Sequence, residues 1–139
     1  MAPARVLRAL QSMVIRRVLL VDDDEDIRTI GAMALREVAR FEVLAVDSGQ
    51  AACEALEGFR PDVVLLDVMM PVLDGPQTLA AIRALPTGRD VPAVFVTAKV
   101  RGGEVQDLLA AGAVGVITKP FDPMTLGQQV QDLVDRSAT

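Results

Sequence analysis

Acidic, hydroxyl and amine side chains occur in this sequence directly after short apolar runs. The segment Asp22–Asp24 supplies three carboxylates after one such run, and Asp67 follows another. Thr97 follows a third run, and Lys119 is the second residue after a fourth. Acidic residues after a strand often only cap the next helix, and a lone threonine or lysine has an ordinary surface role. The joint placement of these groups is therefore the informative feature.

The residue types favour phosphoryl chemistry beside a divalent ion. Clustered carboxylates repel one another, and some take up protons unless a cation lies between them. Mg²⁺ keeps several waters and needs only one or two carboxylates together with phosphate oxygens. Asp67 has the chemistry of a nucleophile that forms an acyl phosphate. Lys119 and Thr97 are suited to hold phosphoryl oxygens, the first by charge and the second by a hydrogen bond.

Apolar runs predict the strands that position these groups. Four runs are rich in β-branched residues and apolar on both faces, which is typical of central strands in a parallel sheet. They span Val18–Val21, Val63–Leu66, Ala93–Val96 and Val114–Ile117. A fifth, weaker run, Phe41–Val46, contains Glu42 and suits an edge strand.

Apolar residues at helical spacing predict five helices, one after each strand. The stripes are Ile27, Ile30, Ala34 and Val38; Ala52, Ala55, Leu56 and Phe59; Leu79, Ile82 and Leu85; Val105, Leu108 and Leu109; and Leu126, Val130, Leu133 and Val134. Asp24, Ser48 and Asp122, which precedes a proline, are predicted N-terminal caps. This alternation predicts an α/β fold with helices on both faces of a parallel sheet and a ligand site at the carboxyl ends of the strands.

Composition excludes several classes of function. The sequence has no histidine, which removes histidine-based catalysis, the common zinc ligand sets and a phosphohistidine role for this chain. Four of the fourteen basic residues lie in the first 17 positions, so the remainder sets ten basic against nineteen acidic residues, a net charge of −9. So acidic a domain is expected to bind a divalent cation or a basic protein surface rather than nucleic acid.

The sequence favours a cytoplasmic protein. Its single cysteine, Cys53, cannot form an internal disulfide, and no apolar run approaches the roughly 20 residues that span a bilayer. The basic front end lacks the apolar core and cleavage site of a secretory signal. It is either an extra helical turn or a disordered tail, and translation from Met13 is an alternative.

Five motifs together closely resemble the receiver domains of bacterial two-component response regulators, of the stand-alone, chemotaxis-receiver-like kind. They are Val-Asp-Asp at 21–23, Leu-Leu-Asp-Val-Met-Met-Pro at 65–71, Asp-Gly at 74–75, Val-Thr-Ala at 96–98 and Lys-Pro-Phe at 119–121. The likeness covers about residues 16–136, with 1–15 as a basic extension and 137–139 as a tail. It implies a three-layer αβα fold whose five-stranded parallel sheet has the flavodoxin-like order 2-1-3-4-5.

The resemblance also assigns roles to the site residues. Asp67 matches the phosphoacceptor, Asp23 a direct Mg²⁺ ligand and Asp22 a ligand that acts through water. Asp67 and the Met69 carbonyl would complete the protein ligands. Thr97 matches the switch hydroxyl and Lys119 the lysine of the pattern, with a cis bond before Pro120.

The resemblance further implies how such a domain works. A sensor histidine kinase or a histidine phosphotransfer protein would donate the phosphoryl group in a Mg²⁺-dependent reaction. The chain would catalyse its own phosphorylation and dephosphorylation and would not be an enzyme for outside substrates. A downstream protein would bind the face formed by the fourth helix, fifth strand and fifth helix. With no output domain in the sequence, a diffusible regulator, a phosphorelay intermediate and a phosphate sink all stay open.

One position departs from the family's pattern, and two positions that flank the predicted site are variable in the family. Val116 stands where relatives carry an aromatic residue that moves inward with the switch threonine, so a smaller or differently routed surface change is expected. Met69 and Lys99 lie two residues after Asp67 and Thr97, at positions that tune hydrolysis. Because Met69 offers water no polar anchor, slow self-hydrolysis is expected.

Three alternatives keep the fold and change the function. A flavodoxin-type binding module would need hydroxyls and glycines after the first strand, where this sequence has acids. A phosphatase-like enzyme that turns over an aspartyl phosphate would need a second carboxylate at the position of Met69. A receiver-like protein that is never phosphorylated would not need the complete set of acids, hydroxyl and lysine.

Overall fold

The computed structural model describes residues 14–98 and 102–138. Strands and helices alternate along the chain. The elements are β1 (Arg17–Val21), α1 (Glu25–Met33, continued by a π-helical turn over Ala34–Val38), β2 (Glu42–Val46), α2 (Gly49–Phe59), β3 (Val63–Asp67), α3 (Gly75–Arg83), a 3₁₀ turn (Pro86–Gly88), β4 (Ala93–Thr97), α4 (Gly102–Ala110), β5 (Gly115–Thr118) and α5 (Leu126–Ala138).

All five strands are parallel and lie in the order β2-β1-β3-β4-β5, so the predicted fold and strand order are confirmed. Side chains alternate between two buried clusters, one on each face of the sheet. One cluster joins the sheet to α1 and α5, through residues such as Leu35 and Val130. The other joins it to α2, α3 and α4, through residues such as Leu56, Leu79 and Leu108. The result is a three-layer αβα arrangement.

The prediction that all four strong runs form central strands is wrong for β5. This strand lies at one edge of the sheet and β2 lies at the other. Only β1, β3 and β4 are covered by a strand on both sides. β5 is apolar because its residues pack against helices on both faces, with Ile117 in one cluster and Val116 against the other.

The predicted apolar face of α1 is also wrong in part. Ile30 and Val38 are exposed, whereas Gly31, Ala34 and Leu35 are buried. A Cβ atom added at Gly31 would lie 3.0 Å from Leu20 Cδ2, so the helix approaches the sheet closely through its small residues. Ile30 and Met33 therefore point outward in this part of the helix, and the π-helical turn shifts the buried face at its end, where Leu35 packs in the core.

The predicted helix caps at Asp24 and Ser48 are confirmed, and Asp122 caps the turn that precedes the last helix. The Asp24 carboxylate accepts hydrogen bonds from the backbone amides of Asp26 and Ile27, and the Ser48 hydroxyl accepts one from Ala51. Asp122 accepts the Met124 amide through its side chain and the Leu126 amide through its carbonyl oxygen. The capping turn of α5 therefore begins at Asp122.

Ordered structure extends slightly beyond both ends of the predicted domain, which spans residues 16–136. Ile15 is buried in the cluster beneath α1 and α5, and α5 continues to Ala138. Three predictions lie outside the described residues: the first 13 residues of the extension predicted over 1–15, the alternative start at Met13 and the tuning position Lys99. No helix among the residues that the structure describes has the length and hydropathy needed to cross a membrane.

The glycine of the Asp-Gly motif is required by close packing behind β3. A Cβ atom at Gly75 would lie 2.7 Å from the Asp67 carbonyl oxygen, 2.8 Å from Val68 Cα and 3.0 Å from Phe95 Cε1. The Gly75 amide also donates a hydrogen bond to the Val68 carbonyl oxygen. The start of α3 therefore presses directly on the end of the strand that carries Asp67.

We predict that Gly75→Ala lowers the free energy of unfolding by about 1–3 kcal/mol, because the added methyl group overpacks a rigid backbone contact. The matched control is Gly58→Ala in α2, where the new Cβ meets no heavy atom within 4 Å. That change should raise stability by about 0.5–1 kcal/mol, since alanine favours a helix over glycine. Urea unfolding measures both, and equal effects of the two substitutions would contradict the packing argument.

Candidate functional site

Strand register brings the predicted site residues together at the carboxyl ends of the strands. Val21 pairs with Leu66, so Asp22 and Asp67 follow these partners side by side at the ends of β1 and β3. Asp67 pairs with Val96, which places Thr97 one residue further along β4. Thr97 in turn pairs with Thr118, and Lys119 follows. The four groups therefore lie at the carboxyl ends of the neighbouring strands β1, β3, β4 and β5.

The turn between β1 and α1 holds the acidic residues in place. The Asp22 amide donates to the Val46 carbonyl oxygen at 3.1 Å, and the Asp24 amide donates to Asp22 Oδ1 at 2.9 Å. From the second turn of α1, Arg28 Nη1 donates to the Asp22 carbonyl oxygen at 2.8 Å. The Asp22 carboxylate is 2 % exposed, while Asp23 is exposed at the mouth of the cleft.

Lys119 joins the two buried carboxylates. Its Nζ donates to Asp22 Oδ2 at 2.8 Å and to Asp67 Oδ1 at 3.2 Å. The Lys119 amide donates to the Thr97 carbonyl oxygen at 2.8 Å, which anchors the start of the loop after β5. The Lys119–Pro120 peptide bond is cis, as predicted. One ammonium group therefore screens part of the negative charge at this edge.

The surroundings of Asp67 both raise and lower the pKa of its carboxyl group. It is 6 % exposed, and burial is the largest cause that raises its pKa, followed by the negative charge of Asp22. Lys119 and the backbone amide of Met69 act in the other direction, and the net effect is a pKa of about 6. Burial alone would lower the pKa of Lys119, but its hydrogen bond to Asp22 and the attraction of both carboxylates raise that pKa instead.

The donor set fits a small divalent cation. One carboxylate oxygen from each of Asp22, Asp23 and Asp67 lies within 4.8 Å of the other two. Oxygen ligands at this spacing suit a hard ion such as Mg²⁺, which tolerates few protein ligands and keeps water in its other positions. Since Lys119 neutralises only one of three negative charges, the cluster still favours a further cation.

All six residues predicted for the site line one open cleft. They are Asp22, Asp23, Asp67, Met69, Thr97 and Lys119. Thr97 is 4 % exposed, whereas Met69 is 71 % exposed on the rim. The sequence placed Asp24 among the acids after β1 and as a helix cap but not among the metal ligands, and the structure shows that it also lines the cleft; Arg28 was not singled out. An arginine six residues after the first aspartate is the signal that would have pointed to Arg28.

Comparison with solved structures finds similar folds. Chemotaxis protein CheY4 of Vibrio cholerae is 32% identical with a TM-score of 0.80, over 86% of this chain and 99% of that chain. The receiver domain of sensor histidine kinase PA1611 from Pseudomonas aeruginosa is 32% identical with a TM-score of 0.76, over 87% of this chain and 98% of that chain. That domain was solved with a magnesium ion coordinated in its active site cleft.

Comparison with curated sequences finds relatives that match most of this chain. The transcriptional regulatory protein CseB of Streptomyces avermitilis is 39% identical over 86% of this chain and 49% of its own length. An uncharacterized 14.6 kDa protein of Leptolyngbya boryana is 33% identical over 88% of this chain and 92% of its own length. The chain thus spans about half of the transcriptional regulator and nearly all of the shorter relative.

A profile of the response regulator receiver domain matches residues 18–131. This match covers most of the sequence, and the fold and relatives agree with it. The chain therefore belongs to the response regulator receiver domain family of two-component signalling. Accepting a phosphoryl group is the general role of that family.

We predict that Asp67→Asn stabilises the metal-free protein in a pH-dependent way. The pKa of Asp67 is raised to about 6 in the folded protein, against 3.8 for an unperturbed aspartate carboxyl, so wild-type stability falls as pH rises through this window. Below it the carboxyl is protonated in both states. We expect Asn to add about 1–2 kcal/mol at pH 8, after discounting for solvent screening, and almost nothing at pH 3.5.

Urea unfolding in EDTA at both pH values measures this difference. Asp62→Asn is a useful control because Asp62 accepts the Arg16 and Arg17 amides at the opposite end of the sheet. That substitution should destabilise the protein at pH 8. A gain from Asp67→Asn that does not change with pH would contradict the assignment of the raised pKa.

Proposed function

We propose that Asp67 is the phosphoryl acceptor of this receiver domain and that the cleft around it catalyses the transfer. The observation that carries the proposal is the convergence of three carboxylates within 4.8 Å, two of them bridged by Lys119. The carboxylates of such a cluster repel one another, and a bound divalent cation offsets this repulsion and would also offset the charge of a phosphoryl group. The family's general role supplies the class of reaction, and the geometry supports this residue for it.

The proposed step is a displacement at phosphorus. An oxygen of the ionised Asp67 carboxylate forms a bond to phosphorus while the bond between phosphorus and the donor's imidazole nitrogen breaks. The electron pair leaves with that nitrogen, which takes up a proton, and the product is an aspartyl phosphate. Because Asp67 has a pKa of about 6, it is largely ionised at neutral pH and available as the nucleophile.

Lys119 is proposed to bind the negatively charged oxygens at Asp67 both before and after the transfer. It holds the Asp67 carboxylate before transfer and is placed to hold a phosphoryl oxygen afterwards, without leaving Asp22. Mg²⁺, when bound by Asp23, Asp67, the Met69 carbonyl and, through water, Asp22, would neutralise phosphoryl oxygens. The fit of the three carboxylates to such an ion supports this assignment.

Thr97 is proposed as the switch hydroxyl. It is buried beside the acceptor at the end of β4, one residue beyond the strand partner of Asp67. A hydrogen bond from its hydroxyl to the phosphoryl group would pull β4 toward the site. Because Val116 is a packed aliphatic residue and not an aromatic one, we propose a small change on the face formed by α4, β5 and α5.

The proposed partners follow from this chemistry. The donor is proposed to be a phosphohistidine on a sensor kinase or a phosphotransfer protein, the partners expected for the receiver family; this chain has no histidine, so that residue must lie on another protein. A downstream protein is proposed to bind the face of α4, β5 and α5. Turnover of outside phosphate esters is not expected, because Met69 places no acid or base two residues after the acceptor.

We predict that wild-type protein given Mg²⁺ and phosphoramidate gains an adduct of about 80 daltons that maps to Asp67. The Asp67→Asn variant should gain none, and Lys119→Ala should slow the reaction at least about 100-fold because it removes the cation that holds the transferring group. Intact-protein mass spectrometry followed by peptide mapping measures all three. An adduct on another residue, or none in the wild type, would sink the proposal.

We predict that Met69 makes the phosphorylated state long-lived. Its apolar side chain is 71 % exposed on the rim and gives an attacking water no hydrogen-bond partner. Met69→Asn should therefore speed loss of the phosphoryl group several-fold. Met124→Asn, at an equally exposed methionine outside the residues that line this cleft, is the control and should leave the rate unchanged. Equal rates for wild type and Met69→Asn would end this explanation.

A further inference from the structure

Arg28 contacts the acidic turn in two ways. Its Nη1 donates to the Asp22 carbonyl oxygen at 2.8 Å, and its backbone amide donates to the Asp24 carbonyl oxygen at 3.0 Å. Arg28 is half-buried. No other side chain that the structure describes binds the backbone of this turn at Asp22.

We infer that Arg28 is a positioning residue for divalent-ion binding, because it fixes the turn from which Asp22 and Asp23 face Asp67. The inference rests on the proposed function and adds a residue that lies outside the cleft itself. Outer residues that orient metal ligands act in this way by limiting the geometries available to the ligands.

Asp23 is the ligand that most needs such support. Its carboxylate is exposed, and within residues 14–98 and 102–138 no hydrogen bond or ion pair holds it. By contrast, Asp22 is held at both carboxylate oxygens, by the Asp24 amide and by Lys119. The position of Asp23 therefore depends on the turn backbone, which Arg28 anchors one residue earlier at the Asp22 carbonyl.

Arg28 also carries a positive charge beside acids. The direction in which its removal changes Mg²⁺ affinity therefore distinguishes an effect of charge from an effect of positioning. If charge alone mattered, removing Arg28 would strengthen binding of Mg²⁺, because a nearby cation repels it. If positioning dominates, removing Arg28 weakens binding, because the turn then samples geometries in which the carboxylates do not converge. The two explanations predict opposite changes in the dissociation constant.

The chain offers a matched control on the same helix. Arg36 Nη2 donates to the Val43 carbonyl oxygen at 2.7 Å, so it also ties α1 to a strand through a backbone carbonyl. Val43 lies three residues before Val46, at the level of Val18 rather than Val21, which is roughly 10 Å along the strand from the site. Loss of Arg36 removes the same charge and the same kind of bond away from the acids.

The test is calorimetric titration of the wild type, Arg28→Met, Arg28→Lys and Arg36→Met with MgCl₂. Methionine keeps the apolar stem and removes the donor and charge. We expect Arg28→Met to weaken Mg²⁺ binding about tenfold, Arg28→Lys to recover part of the loss, and Arg36→Met to change it less than twofold. In Arg28→Met without metal, the Asp24 amide should also exchange with solvent faster, by NMR.

Arg28→Met binding as tightly as the wild type, or more tightly, would overturn the inference, as would an equal loss in Arg36→Met. If Arg28→Met does not fold, Asp24 amide exchange in Arg28→Lys decides: faster exchange than in the wild type supports positioning, and unchanged exchange overturns it. A wild type that does not bind Mg²⁺, or Asp67→Asn that binds it equally well, contradicts the proposed function instead.

Discussion

Repulsion among three carboxylates is the constraint on which the structure of this receiver domain depends. Asp22, Asp23 and Asp67 come within 4.8 Å of one another, and two of them are almost fully buried. Lys119 reduces the repulsion without cancelling it, since one ammonium faces three acids. The remaining negative charge favours a small divalent cation, which in the proposed function would also offset the charge of a phosphoryl group.

The rest of the fold holds these charges together against their mutual repulsion. Parallel pairing sets β1, β3 and β4 in a stagger that places their last residues side by side. Gly75 lets α3 press against the end of β3, and the β1–α1 turn is anchored to β2 and α1. Packing on both faces of the sheet stabilises the fold by enough to offset the repulsion among the three carboxylates. In the proposed function, the same rigidity would carry a change at Asp67 to Thr97 on the neighbouring strand.

Much of this could be predicted from the sequence, because apolar runs and the residues after them report strand positions directly. Asp67, Thr97 and Lys119 were found in this way, and the motifs supplied the family. The exposed side of α1 was not predictable from apolar spacing, because Gly31 carries no side chain to mark the face that packs on Leu20. The edge position of β5 depends on strand pairing, which a single apolar run does not encode. The bond from Arg28 to Asp22 joins a side chain to a backbone atom across a turn, and composition does not reveal it.

The most direct test of the account is a crystal structure of the protein with Mg²⁺ and beryllofluoride, which mimics the phosphoryl group. The account predicts beryllofluoride on the Asp67 carboxylate, the metal ion in contact with Asp23 and Asp67, and Lys119 beside a fluorine atom. A structure in which the metal ion lies elsewhere, or in which beryllofluoride leaves Asp67 unoccupied at saturating concentration, would contradict the claim that these repelling carboxylates form the phosphoryl-acceptor site.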